Sequence, residues 1–267
     1  MQKNRKLIAL DVDGTLLDST HQILPSTKRA LRQLASQGHV ILLATARPPR
    51  STANIAKQLG MPDALFIALN GATIVCSGEI ITEHSIQRHA VQLLVKETRH
   101  RQLHANLMAD WNWFIEDDSP WCQKEAEIVG ISPTKVADLT DLNLPSAQKI
   151  LIIGDVKDIS AFYDWALAET LPISVSLSKP NYCEIVQQGV SKAHALLEAG
   201  KMLGIPPADI IAFGDGDNDK ELVEVAGIGV AMGNSMPTVI EAADFVTKTN
   251  DNDGIYHALM HYGLISL

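Results

Sequence analysis

Cysteine is scarce in this chain: the 267 residues hold three, Cys76, Cys122 and Cys183, with no C-x-x-C pair and no metal-ligand spacing among them. That excludes a disulfide framework and a cysteine-based metal site, and reduced thiols in a cytoplasmic protein are the expectation. Long apolar runs are lacking too. VILLATA (40 to 46) and ALFIAL (64 to 69) fall far below the roughly 18 residues of a membrane span, so no membrane partner is expected. Positive charge is the minority: 22 Lys and Arg stand against 31 Asp and Glu, a net charge of −9. A nucleic-acid partner is disfavoured, because phosphate backbones attract clustered Lys and Arg. The basic start, MQKNRK, is followed by only four apolar residues before Asp11, which is short for a signal peptide. There is no internal repeat, low-complexity tract or Walker-type loop. GIGVAMG (227 to 233) lacks the G-x-G-x-x-G interval, and GVSKA (189 to 193) has Ala where a nucleophile elbow has Gly.

A hydrophobic fraction of 46% over this length can bury a sizeable core, in one large domain or two. Strand-like runs alternate with helical ones, the pattern of a parallel sheet covered by helices. Pro25 suits a first helical turn, Ala30, Leu31 and Leu34 share a face, and Gly38 offers a stop. A strand at 39 to 45, a helix to about Gly60, and a strand through Ala64 to Leu69 follow, and TIVCSGEIIT (73 to 82) reads as a hairpin. Residues 84 to 187 differ in texture: they hold all four tryptophans, and KILIIG (149 to 154), ISVSL (173 to 177) and YCEIV (182 to 186) flank a helix expected at 158 to 170. They read as an inserted α+β unit. The core pattern resumes at Ser191 with a helix, a strand to Phe213, a helix near 219 to 226 and the strand GIGVAM.

The densest chemical signal lies in LIALDVDGTLLDS (7 to 19), where Asp11 and Asp13 end a short apolar strand. In an open parallel sheet that end is where ligands bind, and two such close anions repel unless a cation or proton separates them. A second acid cluster, GDGDND (214 to 219), also follows a strand. Asp215, Asp217 and Asp219 mimic the start of an EF-hand loop, but Lys220 stands where that loop needs Gly and Ala226 where it needs Glu.

These segments, with LLATAR (42 to 47) and the lysine of GVSKAHAL (189 to 196), appear in the order of the four motifs of the haloacid dehalogenase-like phosphohydrolases, which the chain resembles over nearly its whole length. LNGA (69 to 72) and GVAMGNS (229 to 235) resemble its Cof-like branch. The resemblance implies an α/β fold: a Rossmann-like parallel sheet core with helices on both faces, formed by 1–83 and 188–267, and an inserted α/β cap domain at 84–187.

It also implies roles. Asp11 attacks phosphorus to give an aspartyl-phosphate, and Asp13 protonates the departing alkoxide and then activates water. Phosphoryl transfer needs positive charge around the transferred group, and Lys192 is the natural cation. Several carboxylates and a phosphate also call for a hard divalent cation, and Mg2+ fits oxygen ligands from Asp11, the main-chain carbonyl of Asp13, and Asp215. Asp219 would stand behind them, holding a water or orienting Lys192, while Asp217 reads as a solvated loop residue. Thr45, Ala46 and Arg47 are candidates for the phosphate, Asn218 likewise, and Asn70 and Gly71 for the substrate. The family usually has Gly where this chain has Ala46, so a backbone needing positive φ would be strained there. Arg47 could instead be an ion-pair partner.

The expected activity is hydrolysis of a small phosphorylated metabolite, a sugar phosphate first among them. A phosphotransferase or mutase on the same scaffold is the alternative, with a non-catalytic ligand-binding regulator behind it. A dehalogenase would need neither Asp13 nor a metal. His100, His104, Trp111, Trp113 and Trp121 are expected to serve packing. The sequence fixes neither the substrate nor the oligomeric state.

Overall fold

The computed structural model describes residues 5–141 and 143–266. The first four residues of the basic start therefore lie outside the described residues, as do the extreme ends of the expected core segments. In chain order the strands are β1 (Leu7–Asp11), β2 (Val40–Ala44), β3 (Leu65–Ala68), β4 (Thr73–Cys76), β5 (Glu79–Glu83), β6 (His104–Ala109), β7 (Asn112–Ile115), β8 (Thr134–Lys135), β9 (Lys149–Ile153), β10 (Ile173–Lys179), β11 (Tyr182–Gln187), β12 (Ile210–Gly214), β13 (Ile228–Ala231) and β14 (Phe245–Val246). The helices are α1 (Pro25–Ser36), α2 (Pro49–Leu59), α3 (Arg88–His100), α4 (Pro120–Val129), α5 (Val156–Ala168), α6 (Lys192–Leu203), α7 (Lys220–Glu224), α8 (Pro237–Ala242) and α9 (Gly254–His261).

Among the described residues, β14-β13-β12-β1-β2-β3-β4-β5 form an eight-stranded sheet. Pairing is parallel from β14 to β3. The expected hairpin is β4 and β5, and it adds to that parallel core with antiparallel pairing at one edge. All five residues of β1 are buried, because the strand lies between neighbours in a sheet covered on both faces. From β1 the chain steps outward to β2 on one side and returns much later to β12 on the other. That reversal is the switch point of a doubly wound sheet, where the strand ends open a crevice. Asp11 is the last residue of β1, opposite Ala44.

The inner face of α1 is Thr27, Ala30, Leu31 and Leu34, with Pro25 in its first turn as expected. Two helices differ from their expected bounds. The one near 219 to 226 is a 3-10 turn over Asp217–Asp219 followed by the short α7, because the chain must turn for the Gly227 N–H to bond the Pro207 carbonyl at 2.8 Å. The one at 158 to 170 occupies 156 to 168; Pro172 disfavours helical geometry at the residue before it.

A second sheet, β10-β11-β9-β6-β7-β8, draws every strand from between 104 and 187. Its strands alternate. Leu107, Ile150, Ile152, Cys183 and Ile185 pack with Leu94 of α3 and Phe162 of α5, whereas Met108, Leu151, Ile153, Tyr182 and Val186 share a cluster with the first sheet's helices and with Val129 of α4. The period of two thus turns one face inward to its own helices and the other toward the first sheet.

On that second face sits a buried ion pair. Lys149 Nζ lies 2.8 Å from Glu184, the two side chains being 2% and 6% exposed, and it also donates to the Ala46 carbonyl at 3.0 Å. Glu184 accepts in turn from Ser178 Oγ at 2.8 Å and from Asn70 Nδ2. Burial would raise the Glu184 carboxyl, but the Lys149 charge and these hydrogen bonds hold it below its ordinary value. A carboxyl so depressed contributes stability above the ordinary carboxylate range and loses it as pH falls. Lys149→Met should therefore cost about 3–5 kcal/mol in urea unfolding at neutral pH, because Glu184 keeps its charge in a dry place. Lys149→Met combined with Glu184→Gln should recover most of that loss. If the single variant matched wild type, the pair would contribute nothing to stability.

Candidate active site

Asp11 is 5% exposed and Lys192 2%. Lys192 opens α6, whose N-cap Ser191 accepts from the His194 N–H at 3.2 Å. Its Nζ bridges two carboxylates, at 2.6 Å from Asp11 Oδ1 and 2.7 Å from Asp219 Oδ1. A cation at a helix N-terminus is unfavourable by itself, and here two anions offset that cost. Asp219 Oδ2 accepts from the Asp215 and Gly216 N–H groups, both at 3.1 Å, so both Asp219 oxygens are engaged. Asp215 accepts from Thr15 Oγ1 at 2.7 Å through Oδ1.

Two glycines allow this closeness. A Cβ on Gly14 would stand 2.3 Å from Asp215 Oδ2, and one on Gly71 would stand 2.2 Å from the Ser191 carbonyl at the start of α6. Both lie at positive φ, +84° and +105°, where a side chain would also strain the backbone.

Carboxylate oxygens of Asp11, Asp215 and Asp219 fall within 4.8 Å of one another. One ammonium cannot neutralise three carboxylates. Burial first, then the Asp219 charge, push the Asp11 carboxyl well above its ordinary value despite Lys192. Asp215 is pushed up to about 6, again chiefly by burial. Burial would lower the Lys192 ammonium, but Asp11 and Asp219 hold it above its ordinary value, fully charged. The donor set therefore suits a hard divalent cation. With both Asp219 oxygens taken, Asp11 and Asp215 are the carboxylates left to hold it.

Thr45 follows β2 and is buried; its Oγ1 accepts from the Arg47 N–H at 3.1 Å, leaving its own proton to donate. Ala46 is not among the positive-φ residues, so the strain expected of alanine there does not arise; its carbonyl is the one that Lys149 holds. Arg47 is 8% exposed and grips Asp13 with two bonds, Nε to Oδ2 at 2.8 Å and Nη2 to Oδ1 at 2.6 Å. Its Nη1 reaches Ser51 Oγ at 3.3 Å. Both readings of Arg47 meet here, since its ion-pair partner is the residue expected to serve as acid. Asn70, at φ 58°, gives its amide N–H to Glu184, and its oxygen accepts from Asn218 Nδ2 at 3.4 Å. Asp217 is exposed, as expected, and accepts from Thr238.

Asp11, Asp13, Thr45, Arg47, Lys192 and Asp215 line one cavity of about 460 Å³, together with Glu125, Lys149, Tyr182 and Glu184 of the second unit. Sequence reasoning missed those four. None of the singled-out histidines and tryptophans lines that cavity. Trp113 is buried and donates to Asn106 Oδ1 at 3.0 Å, Trp111 meets Phe66 edge to face, and His100 is exposed.

A family model described as haloacid dehalogenase-like hydrolase matches residues 8–259. The chain is 30% identical to the 5-amino-6-(5-phospho-D-ribitylamino)uracil phosphatase of Bacillus subtilis, over 98% of this chain and 99% of that one. A haloacid dehalogenase-like hydrolase from Bacteroides thetaiotaomicron superposes with a TM-score of 0.89 at 32% identity, over 97% of this chain and 100% of that one. A phosphatase of the haloalkanoate superfamily from the same bacterium does so with a TM-score of 0.82 at 30% identity, over 98% and 96%.

Proposed function

The chain belongs to the haloacid dehalogenase-like hydrolases and is a phosphatase enzyme, and on that premise we propose that it hydrolyses a small phosphorylated metabolite, with a sugar phosphate the first candidate, using Mg2+ and an aspartyl-phosphate on Asp11. The observation that carries this reading is the buried bridge from Asp11 through Lys192 to Asp219 at the switch point, with Asp13 two residues beyond. The Bacillus subtilis relative is named for a substrate with a phosphorylated ribityl chain, which favours a hydroxylated leaving group here too. Residues 84 to 187 act as the cap, and Lys149 and Glu184 fasten it to the loops at Ala46 and Asn70.

An Asp11 carboxylate oxygen attacks phosphorus in line and the phosphorus–oxygen ester bond breaks, while Asp13, freed from Arg47 and protonated by solvent, gives that proton to the departing alkoxide. Asp13 then takes a proton from the water that attacks the aspartyl-phosphate. Lys192 holds Asp11 in place and adds positive charge beside the transferred group, and the Thr45 hydroxyl donates to a phosphoryl oxygen. The Arg47 fork occupies both Asp13 oxygens, so it must loosen before Asp13 reaches the leaving oxygen; an arriving phosphate dianion competes for the same guanidinium. Asp11, the Asp13 carbonyl and Asp215 would hold a divalent cation, which would supply the remaining counter-charge.

Phosphate release from p-nitrophenyl phosphate tests this directly. Magnesium should support it, EDTA should abolish it, and calcium should support it poorly, because longer bonds and a higher coordination number misplace nucleophile and phosphorus. Thermal melts add a second readout. With folded-state carboxyls raised, Asp215 to about 6, the stability linked to these groups is fully present below the ordinary carboxylate range and is lost as pH rises through their folded values. Cation binding relieves that loss, so magnesium should raise Tm more at about pH 7.5 than at about pH 5. Full turnover in EDTA, with no magnesium shift at either pH, would remove the metal.

A further inference from the structure

Two segments carry the chain between the sheets: residues 84 to 87 lead out of β5, and residues 188 to 191 lead back into α6. Side chains from beside both segments meet. His84 stands in the first, and His194 and Glu198, four residues apart and so on one face of α6, follow directly after the second. None of the three lines the cavity of the catalytic carboxylates.

His84 Nε2 lies 3.5 Å from Glu198 Oε2. That is long for a hydrogen bond, but it is close to the separation of about 3.3 Å between two atoms that each bond one tetrahedral ion at about 2.0 Å. Thr82 Oγ1 donates to Glu198 Oε1 at 3.1 Å, which orients the carboxylate and leaves Oε2 for a ligand. His194 Nδ1 lies 3.1 Å from the Gly189 carbonyl. A carbonyl only accepts, so Nδ1 carries the proton and Nε2 of the neutral ring keeps a free lone pair. A metal-binding histidine is usually held in this way, by its other nitrogen. The His84 and His194 ring centres are 6.2 Å apart, about 1 Å wider than two imidazoles on one tetrahedral ion require. His194 is exposed, and a small inward turn of its side chain closes that difference.

We propose that His84, His194 and Glu198 form a second metal site, for a borderline transition-metal dication such as Zn2+, which ties the two connecting segments to each other. Two imidazoles and a carboxylate, with water in the fourth position, are a donor set that zinc takes in proteins. Magnesium prefers oxygen donors throughout. The two sites therefore sort two kinds of ion, and this one does not depend on the phosphatase reading.

Co2+ reports on such a site, because a four-coordinate, nitrogen-ligated cobalt ion absorbs visible light far more strongly than one surrounded by six oxygens. Untagged protein in saturating magnesium should take up one equivalent of Co2+ with intense visible bands, and Zn2+ should displace it. The bands should vanish in His84→Ala and in His194→Ala. Glu198→Gln should weaken binding by at least the roughly tenfold that loss of an outer partner costs. His100→Ala, which removes an exposed histidine outside the site, should behave as wild type. In melts with magnesium present, Zn2+ at about a hundredfold excess over its Kd should raise the wild-type Tm by about 5 °C or more and leave both histidine variants unmoved. Because His194 is exposed, His194→Ala keeps the test open should His84→Ala fail to fold. Wild type without saturable cobalt bands would overturn the site. So would bands that persist in either histidine variant, since the ion would then be held adventitiously by other histidines.

Discussion

Asp11→Asn is expected to lower kcat for phosphate release by about four orders of magnitude or more, because the amide keeps the shape of the side chain but has no carboxylate to attack phosphorus. The same substitution should leave the protein folded, with a Tm in metal-free buffer no lower than that of wild type. Three carboxylates crowd within 4.8 Å, and burial and the Asp219 charge already push the Asp11 carboxyl upward. Neutralising one removes repulsion, while Lys192 retains Asp219 at 2.7 Å and can still donate to the Asn oxygen. The measurement is steady-state phosphate release beside a thermal melt. Turnover near the wild-type rate in a verified Asp11→Asn preparation would end the covalent mechanism.

Most of the first sheet was legible because its signals are local. LIAL before Asp11 and IIAF before Gly214 are short apolar runs followed by acids and glycines, and both became buried strands with their acids at the carboxyl end. Pro25 and Gly60 marked a helix start and a helix end in the same way. The Asp11, Lys192 and Asp219 constellation was legible only through the motif order, because nothing local in GVSKAHAL shows that Nζ crosses 181 residues of sequence to reach Asp11.

The part of the cavity lining contributed by α4, β9 and β11 was not legible, and its residues show why. Lys149 and Glu184 stand in runs, KILIIG and YCEIV, that read as apolar strands. A charge inside such a run must be paired or exposed, and that signal was present but unassigned, since the partner is set by β9 and β11 being neighbours. Glu125 lies in a helix of mixed polarity, and which face is buried depends on how α4 meets the first sheet. The Arg47 fork is likewise tertiary: 34 positions separate it from Asp13, and β1 and β2 bring them together as adjacent parallel strands.

Lys192→Met should have the second large effect, on stability as well as rate. The ammonium is 2% exposed and is hydrogen-bonded to Asp11 and Asp219. Its loss leaves both carboxylates in a dry pocket with no counter-charge, a change that typically costs about 3–5 kcal/mol. Without the lysine the Asp11 carboxyl, already pushed up by burial, is harder still to ionise, so it folds most comfortably protonated. The deficit relative to wild type should therefore be large at about pH 7.5 and shrink toward about pH 4–5, the reverse of what losing an apolar contact would give. The rate should fall by about a thousandfold, because positive charge fixed beside the transferred group in a water-poor site is worth about 3–4 kcal/mol in the transition state. Magnesium should return part of the stability but not the rate, since a cation at Asp11 and Asp215 does not stand where Nζ does. Urea unfolding at the two pH values, with kcat measured in saturating magnesium, separates these effects. A Lys192→Met protein as stable as wild type at neutral pH would show that the two carboxylates do not depend on it for counter-charge, and one that also kept its rate would remove Lys192 from the catalytic set.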